Sequence, residues 1–315
     1  VGLANTGVVN IVSAVRGGVV LHFKSLISLV IPLLALFSYS VAPEARGEII
    51  VKHYQNQDRY KYGLKVLDLA LSKLNTPYKI QFPEFLDVSI NEARGELMVT
   101  KGILNLEFMS TNPEREEKMI PIRIPIYRGI LGLRLLLVTQ EKSAIFSKID
   151  DIEDLRQFVG GHGLHWGDLP VYSANGLKVV TSSQYEALFT LLRNNRFDYF
   201  HRGFLEVWDE LDRNQDRLVV ADNIMLFYPH PVYFFISRNE PELAGKLEEG
   251  LNIAIADGSF KKLFTEEMKG YLAKGNLSSR KLIILKNPVV PENSPAIDAS
   301  WWLPEKFQKQ LAASQ

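Results

Sequence analysis

Short runs of β-branched and aromatic residues alternate along the chain with longer stretches whose leucines recur at helical spacing. "EIIVKHYQ" after Gly47 reads as a strand, and "RYKYGLKVLDLALSKLN" as a helix with Leu64, Leu67, Leu69, Leu71 and Leu74 on a broad apolar stripe. "YKIQFP", "INEARGELMVTKG" and "LNLEFMS" continue as strand, helix and strand. The order repeats with "LRLLLVTQE" (strand), "DDIEDLRQFV" (helix), "LKVVT" (strand), "SSQYEALFTLLRNN" (helix) and "RFDYFH" (strand). "MLFYPHPVYFFISR" is expected to be extended, because Pro229 and Pro231 exclude a regular helix and aromatic residues favour a sheet. Two helices, "PELAGKLEEGLNIAIADG" and "FKKLFTEEMKGYLAKG", follow. A proline-containing tail from Asn276 carries "ASWWLPEKFQ" and reads as a covering segment whose tryptophans dock on the body.

This alternation predicts an α/β fold with helices on mostly parallel sheets. Two such units, joined by extended segments near 133–141 and 225–238, make a two-lobed molecule with a cleft between the lobes, a common place for a ligand. The expected organisation is an upstream segment over 1–47, lobe one over 48–135, lobe two over 136–232, and a return to lobe one with the covering tail over 233–315.

Composition removes several functions. Lys plus Arg equals Asp plus Glu at 36 each, so the chain lacks the basic excess of a nucleic-acid binder. Cysteine is absent, which excludes disulfides, cysteine nucleophiles and thiolate metal sites. Near the start, Lys24 precedes an apolar stretch over 26–37 and then small residues Ser38, Ser40 and Ala42, the build of a secretory signal. That stretch is shorter than the roughly 20 residues a bilayer span needs. Cleavage is expected after Ser40 or Ala42, with an uncleaved membrane anchor as the alternative. The first methionine is Met98, so a non-standard start near Val20 or Leu21 is expected.

Three segments could carry chemistry. In "STNPERE", residues 110–116, Thr111 and Glu114 have capping-box spacing and Pro113 suits a first helical turn, so a helix N-terminus follows a strand. Its free amides suit an anion, and Arg115 could grip a carboxylate; the plainer reading is a capped surface helix with a solvated arginine. "VVTSSQYEALF", residues 179–189, repeats the arrangement with Ser183 and Glu186, and with Thr181 and Ser182 beside the helix end. "GGHGLHWGD", residues 160–168, reads as a cleft loop in which Trp166 stacks on a ligand and Asp168 accepts hydrogen bonds, or else as a core tryptophan and a turn aspartate. His162 and His165 lack a third strong ligand, so no metal is expected. G-x-S-x-G, Walker and dinucleotide fingerprints are absent.

Over roughly residues 48–268, the element order and motif placement resemble the extracellular solute-binding proteins of family 3, the polar-amino-acid class with the type II periplasmic-binding fold. "NPER" stands where that family has Thr-Pro-Glu-Arg, so Arg115 matches while Asn112 replaces the threonine and Thr111 lies one position earlier. "IPIYRGILG" is similar to the approach to the first hinge strand, "NRFDYFHRG" to the segment ending lobe two's strand, with Asp198 matching its aspartate, and "IADGSFKKLF" to the late helix pair. The acid that family members carry five residues after this aspartate is Gly203 here, preceded by Arg202, with Glu206 the nearest acid.

The resemblance implies a periplasmic, monomeric binder of a small polar solute, serving an inner-membrane transporter permease, without cofactor or catalysis. The resemblance keeps an amino-acid-like ligand in view, while Arg115 and Arg202 facing each other favour an anionic one, a ligand with two acidic ends included; an Arg202 ion pair with Glu206 or Asp198 is the alternative. Lobe one is expected to supply Thr111, Asn112 and Arg115 with stacking from Tyr54 or Tyr60, and lobe two Trp166, Asp168, Thr181, Ser182 and Arg202. A dehydratase-like enzyme using Glu206 or Asp168, or a sensory input protein, are the other readings.

Overall fold

Lobe one is built around a backbone that borrows side chains to complete its sheet. The computed structural model describes residues 47–86, 90–214 and 217–314; the expected signal segment falls on residues outside these. Strand β1 (Ile49–Lys52) is followed by α1 (Lys61–Ser72), and β2 (Tyr78–Gln81) pairs with β1 in parallel. Next come α2 (Glu92–Thr100), β3 (Leu106–Ser110), α3 (Pro113–Lys118) and β4 (Ile120–Ile122). Between β1 and β3 one backbone bond, from the Asn105 amide to the Lys52 carbonyl at 3.0 Å, is supplemented by side chains. Asn105 Oδ1 accepts from the Lys52 amide at 2.7 Å, and the Gln55 amide bonds both the carbonyl and the N–H of Phe108, at 2.9 and 2.8 Å. Such bonds satisfy backbone groups that a regular ladder would otherwise pair. Tyr62, Val66 and Ala70 with Gly63, Leu67 and Leu71 form the buried face of α1, so the expected stripe is real but centred one position away from Leu64, Leu69 and Leu74.

Lobe two opens with β5 (Leu133–Thr139), whose continuous apolar run suits a strand covered on both faces. It continues through α4 (Gln140–Phe146), α5 (Ile152–Leu155), β6 (Val159–Gly163), α6 (Leu169–Ala174), β7 (Lys178–Ser182), α7 (Tyr185–Arg193), β8 (Tyr199–Gly203), α8 (Val207–Arg213), β9 (Leu218–Val220) and β10 (Ile224–Phe227). The chain then returns to lobe one as β11 (Val232–Ile236), which lies antiparallel between β3 and β4, and as α9 (Pro241–Ala256) and α10 (Ser259–Gly275). In lobe two β5 is antiparallel to β8, β9 and β10, while β6 is parallel to β7 and β8.

The glycine-rich segment expected to be a cleft loop begins as strand β6, buried along most of its length. Glycine is what permits this. A Cβ at Gly161 would stand 2.2 Å from the Phe197 ring, and one at Gly163 2.3 Å from Trp166, so the bare backbone accepts aromatic rings against it.

Two crossings connect the lobes, at residues 123–132 and 228–231; the first joining segment expected from sequence, 133–141, is instead β5 and the start of α4, while the second, 225–238, contains its crossing together with strand residues on both sides. They bond to each other's flanks: the Tyr228 amide to the Gly132 carbonyl at 3.2 Å, and the Ile126 amide to the Val232 carbonyl at 3.0 Å. A Cβ at Gly132 would lie 2.0 Å from the Tyr228 carbonyl oxygen, a backbone atom that cannot swing aside. Gly132→Ala is therefore expected to destabilise the protein by about 1–3 kcal/mol, seen as a lower urea midpoint with an unchanged slope.

The tail does more than cover. After α10, β12 (Lys281–Ile284) joins the lobe-two sheet parallel to β10, and α11 (Glu305–Ala312) packs on the body. Trp302 is buried as expected, its Nε1 donating to the Arg128 carbonyl at 2.8 Å, while Trp301 packs edge-on against Phe260 at 5.3 Å.

Candidate functional site

The β3–α3 junction of lobe one faces the β5, β6 and β8 ends of lobe two across a cavity of about 470 Å³. Ser110, Thr111 and Asn112 line one side and Arg134, Trp166, Asp168, His201, Arg202 and Glu206 the other, with His230 from the return crossing. A wider mouth of about 880 Å³ continues outward past Tyr60, Glu92, Tyr185 and Tyr271, and shares Arg202 and Glu206.

Pairing places Arg134 opposite Gly203 and Leu135 opposite Arg202, so the two arginines leave opposite faces of the sheet and meet at its rim. On the first face a polar network forms part of the cavity wall. Arg134 donates to Asp168 at 2.9 Å and to the Tyr228 hydroxyl at 2.6 Å, and that hydroxyl donates to Asp168 at 2.5 Å. Burial alone would raise the Asp168 carboxyl, but the Arg134 charge, the His162 ring with Nε2 3.3 Å away and the Tyr228 hydrogen bond hold it well below its ordinary value. His201 stacks on Tyr172 at 3.8 Å and bonds its hydroxyl through Nδ1 at 2.6 Å. Burial, then the neighbouring His162, pushes His201 well below the ordinary histidine value, so its ring is neutral at pH 7. Its Nε2 is buried without a hydrogen-bond partner among the described residues, in a residue that lines the cavity.

On the second face Arg202 is 6% exposed and its guanidinium lies 4.7 Å from the Trp166 ring and 4.9 Å from Phe200. Glu210 takes it bidentately, from Nε at 2.7 Å and Nη2 at 2.6 Å, and Glu206 accepts from Nη2 at 3.1 Å. Nη1 has no hydrogen-bond partner among the described residues. The sequence alternatives for Arg202 thus merge: it lines the cleft and is also ion-paired, chiefly to Glu210. Asp198 is not its partner, since that carboxylate accepts from Lys142 at 2.6 Å and from the Val159 amide at 2.7 Å.

Gly203, where the resemblance leads one to look for an acid, has its space filled from elsewhere. A Cβ there would stand 2.7 Å from Glu206 Oε2 and 2.9 Å from Arg134 Nη1. Glu206 therefore brings a carboxylate, half exposed, into the gap between the two arginines.

Thr111, Asn112, Trp166, Asp168 and Arg202 meet at the inner cavity, and Tyr60 lines the mouth with its hydroxyl on Glu92 at 2.8 Å. Four expected residues lie elsewhere. Arg115 turns into lobe one, where Nη1 donates to the Ser110 carbonyl, Nη2 to Glu96 at 2.8 Å, and Nε lies 3.4 Å from Glu107. Tyr54 is buried with its hydroxyl on Glu107 at 2.9 Å, inside the lobe-one core. Thr181 and Ser182 end β7, an edge strand of the sheet, and Ser182 Oγ bonds only around its own turn at Gln184.

Neither expected capping box forms. Asn112 caps α3 by accepting from the Arg115 amide at 2.7 Å, and Thr111 donates to Glu116 at 2.6 Å instead. Gln184 sits at the N-cap of α7 without a side-chain bond.

Sequence reasoning missed Arg134, His201, His230 and the tail residues Asn287 and Val289, all of which line the inner cavity. A lone arginine in "LRLLLVT" and a histidine between two prolines were the available signals. Among the described residues no group of three or more His, Asp or Glu is arranged to hold a metal ion.

No protein-family profile matches the chain, and no curated protein does. Solved structures do. The probable amino-acid ABC transporter extracellular-binding protein YtmK of Bacillus subtilis is similar at a TM-score of 0.52 and 17% identity, over 70% of this chain and 97% of that one. YckB of Bacillus subtilis matches at 0.47 and 17%, over 76% and 96%, and an ancestral arginine-binding protein at 0.45 and 15%, over 70% and 98%. The YtmK likeness establishes the fold: two α/β lobes of the type II periplasmic-binding kind, with a hinge and an interlobe cleft. It is the fold that the motif resemblance implied.

Proposed function

We propose that the chain binds a small polar, amino-acid-like solute in the interlobe cleft and delivers it to an ABC-type membrane transporter, acting outside the cytoplasm as a monomer and without chemistry. The observation that carries this is the inner wall, where Glu206 accepts from Arg202 Nη2 at 3.1 Å and borders the space beside Gly203 together with Arg134 Nη1, and where Nη1 of each arginine has no hydrogen-bond partner among the described residues. Donors for an acidic end beside an acceptor for an amino end suit a zwitterion better than a dianion. The anionic preference expected from sequence assumed two uncommitted arginines. Arg115 is turned inward, and Arg202 is largely neutralised by Glu210. Among the described residues no helix is long and apolar enough to cross a membrane.

The test is thermal shift followed by calorimetry against amino acids, dicarboxylates and small peptides. An amino-acid-like solute is expected to raise the melting temperature, and Glu206→Gln to weaken its binding at least about tenfold, or 1.4 kcal/mol. Dicarboxylates binding more tightly than amino acids would reverse the assignment of Glu206. Steady turnover of a bound solute would replace binding by catalysis.

A further inference from the structure

The tail from Lys286 to Leu303 runs along the hinge and touches everything that must move there. At one end it is fastened to lobe two: Asn175 bonds both the amide and the carbonyl of Lys286, at 3.0 and 2.8 Å, next to β12. Asn287 then donates to the Pro229 carbonyl in the return crossing at 2.7 Å. Further on it meets the outgoing crossing. Ile297 packs so closely on Gly129 that a Cβ there would be 2.2 Å from its methyl, and Trp302 Nε1 holds the Arg128 carbonyl. Arg128 and Gly129 both have positive φ, at 50° and 80°, so the tail is docked on the turn that redirects the crossing. Asp298 pairs with Arg128, whose guanidinium lies 4.3 Å from the Trp301 ring, and Trp301 itself rests on α10 of lobe one.

The same segment reaches the solute cavity. Asn287 and Val289 line it, and Val289 is the one aliphatic side chain among its described lining residues. The Asn287 amide is oriented by the Pro229 carbonyl on one side and the Val289 amide, at 3.0 Å, on the other.

We propose that residues 286–303 form a strap that walls the inner cavity with Asn287 and Val289 and restrains the opening of the two lobes. Hinge closure needs a few backbone torsions in the crossings to change. A segment bonded to both crossings and to the C-terminal end of α6 in lobe two, and packed on a lobe-one helix, stays in place only over part of that range. Solute selection and hinge position are then set by one element, whose far end at Ile297, Ala299, Trp302 and Leu303 is buried in the main hydrophobic core. The cavity-wall half rests on the binding reading above; the hinge half does not.

The absence of cysteine allows a direct measurement. Glu117→Cys and Glu186→Cys place one spin label on an exposed position of each lobe, and pulsed dipolar spectroscopy reads the distance distribution in solute-free protein. A single narrow distribution is expected, broadening and lengthening by several ångströms in Asn287→Ala and in Trp302→Phe, which keeps the ring and loses the bond to Arg128. Unchanged distributions in both variants overturn the restraint, and native circular dichroism of each keeps the comparison valid. For the wall, free L-amino acids are the probes. Val289→Trp is expected to abolish the thermal shift given by the bulkiest amino acid that stabilises the parent chain, and an undiminished shift overturns it. If no amino acid shifts the parent, the binding reading fails and the distances alone decide the strap.

Discussion

Glu210→Ala is expected to unfold about 10 °C below the parent chain, a loss of about 3–5 kcal/mol. Arg202 is 6% exposed and both its Nε and Nη2 depend on the Glu210 carboxylate, which is itself 3% exposed. Burial would lower the guanidinium's pKa, and the Glu210 and Glu206 carboxylates hold it above its ordinary value; an arginine stays charged in either case, so the cation remains when its partner is removed. A buried cation left with only the exposed Glu206 as partner is the expensive outcome. The Tyr185 hydroxyl, which donates to Glu210 at 2.5 Å, loses its acceptor in the same step. Replacing both members, as in Arg202→Met with Glu210→Leu, is expected to recover most of the loss, because no charge is then buried unpaired. Glu206→Gln removes a far more exposed partner and is expected to cost no more than about 1 kcal/mol. Urea unfolding of the four chains distinguishes these outcomes. A loss below about 1 kcal/mol for Glu210→Ala would mean that water in the cleft already solvates Arg202.

Acidification from pH 7.5 to 5 is expected to destabilise the protein, by less than its buried histidines alone would dictate. Burial pushes His53 from its ordinary 6.5 to about 4, and burial with the Arg134 charge does the same to His230. The unfolded chain takes up a proton below about pH 6.5 that the folded protein refuses. Stability that is complete above that value is therefore lost as pH falls towards the folded value, at pH 5 by roughly 2 kcal/mol for His53. His201 acts in the same direction.

Glu107 opposes them. Burial raises it to about 7 against the relief offered by Arg115 and Tyr54. Between about 4.5 and 7 the folded protein holds a proton that the unfolded chain releases, so lowering pH to 5 recovers roughly 2–3 kcal/mol. Three depressed histidines against one raised carboxyl leave a net loss. Urea midpoints at the two pH values measure it, and Glu107→Gln is expected to steepen it. A chain that became more stable on acidification would show that these histidines are not kept neutral in the fold.

Much of the architecture could be read in advance. The continuous apolar run of "LRLLLVT", the helical stripe of "SSQYEALFTLLRNN" and the Pro229–Pro231 break reflect local periodicity and propensity, and each became the element expected. The site was legible only where a residue's role depends on its place at a strand end. Arg202, Trp166 and Thr111 fall there, and all three reach the cavity. Arg115 and Tyr54 were misjudged because Glu107, a carboxylate in the middle of "LNLEFMS", is buried and draws both inward. Nothing near Arg115 in sequence announces that competitor.

By itself the sequence determined the alternation of elements, the two-lobed plan, the exclusion of cysteine chemistry, and an arginine at the rim of lobe two where an acid was looked for. These follow from period, composition and chain order, which are local properties. Only the tertiary structure decided which charges remain available to a solute. It turned Arg115 away, gave Arg202 to Glu210, let Glu206 fill the space beside Gly203, and brought Asn287 and Val289 in from the far end of the chain. A charged group's availability depends on every partner within a few ångströms, and those partners are assembled by folding from distant positions.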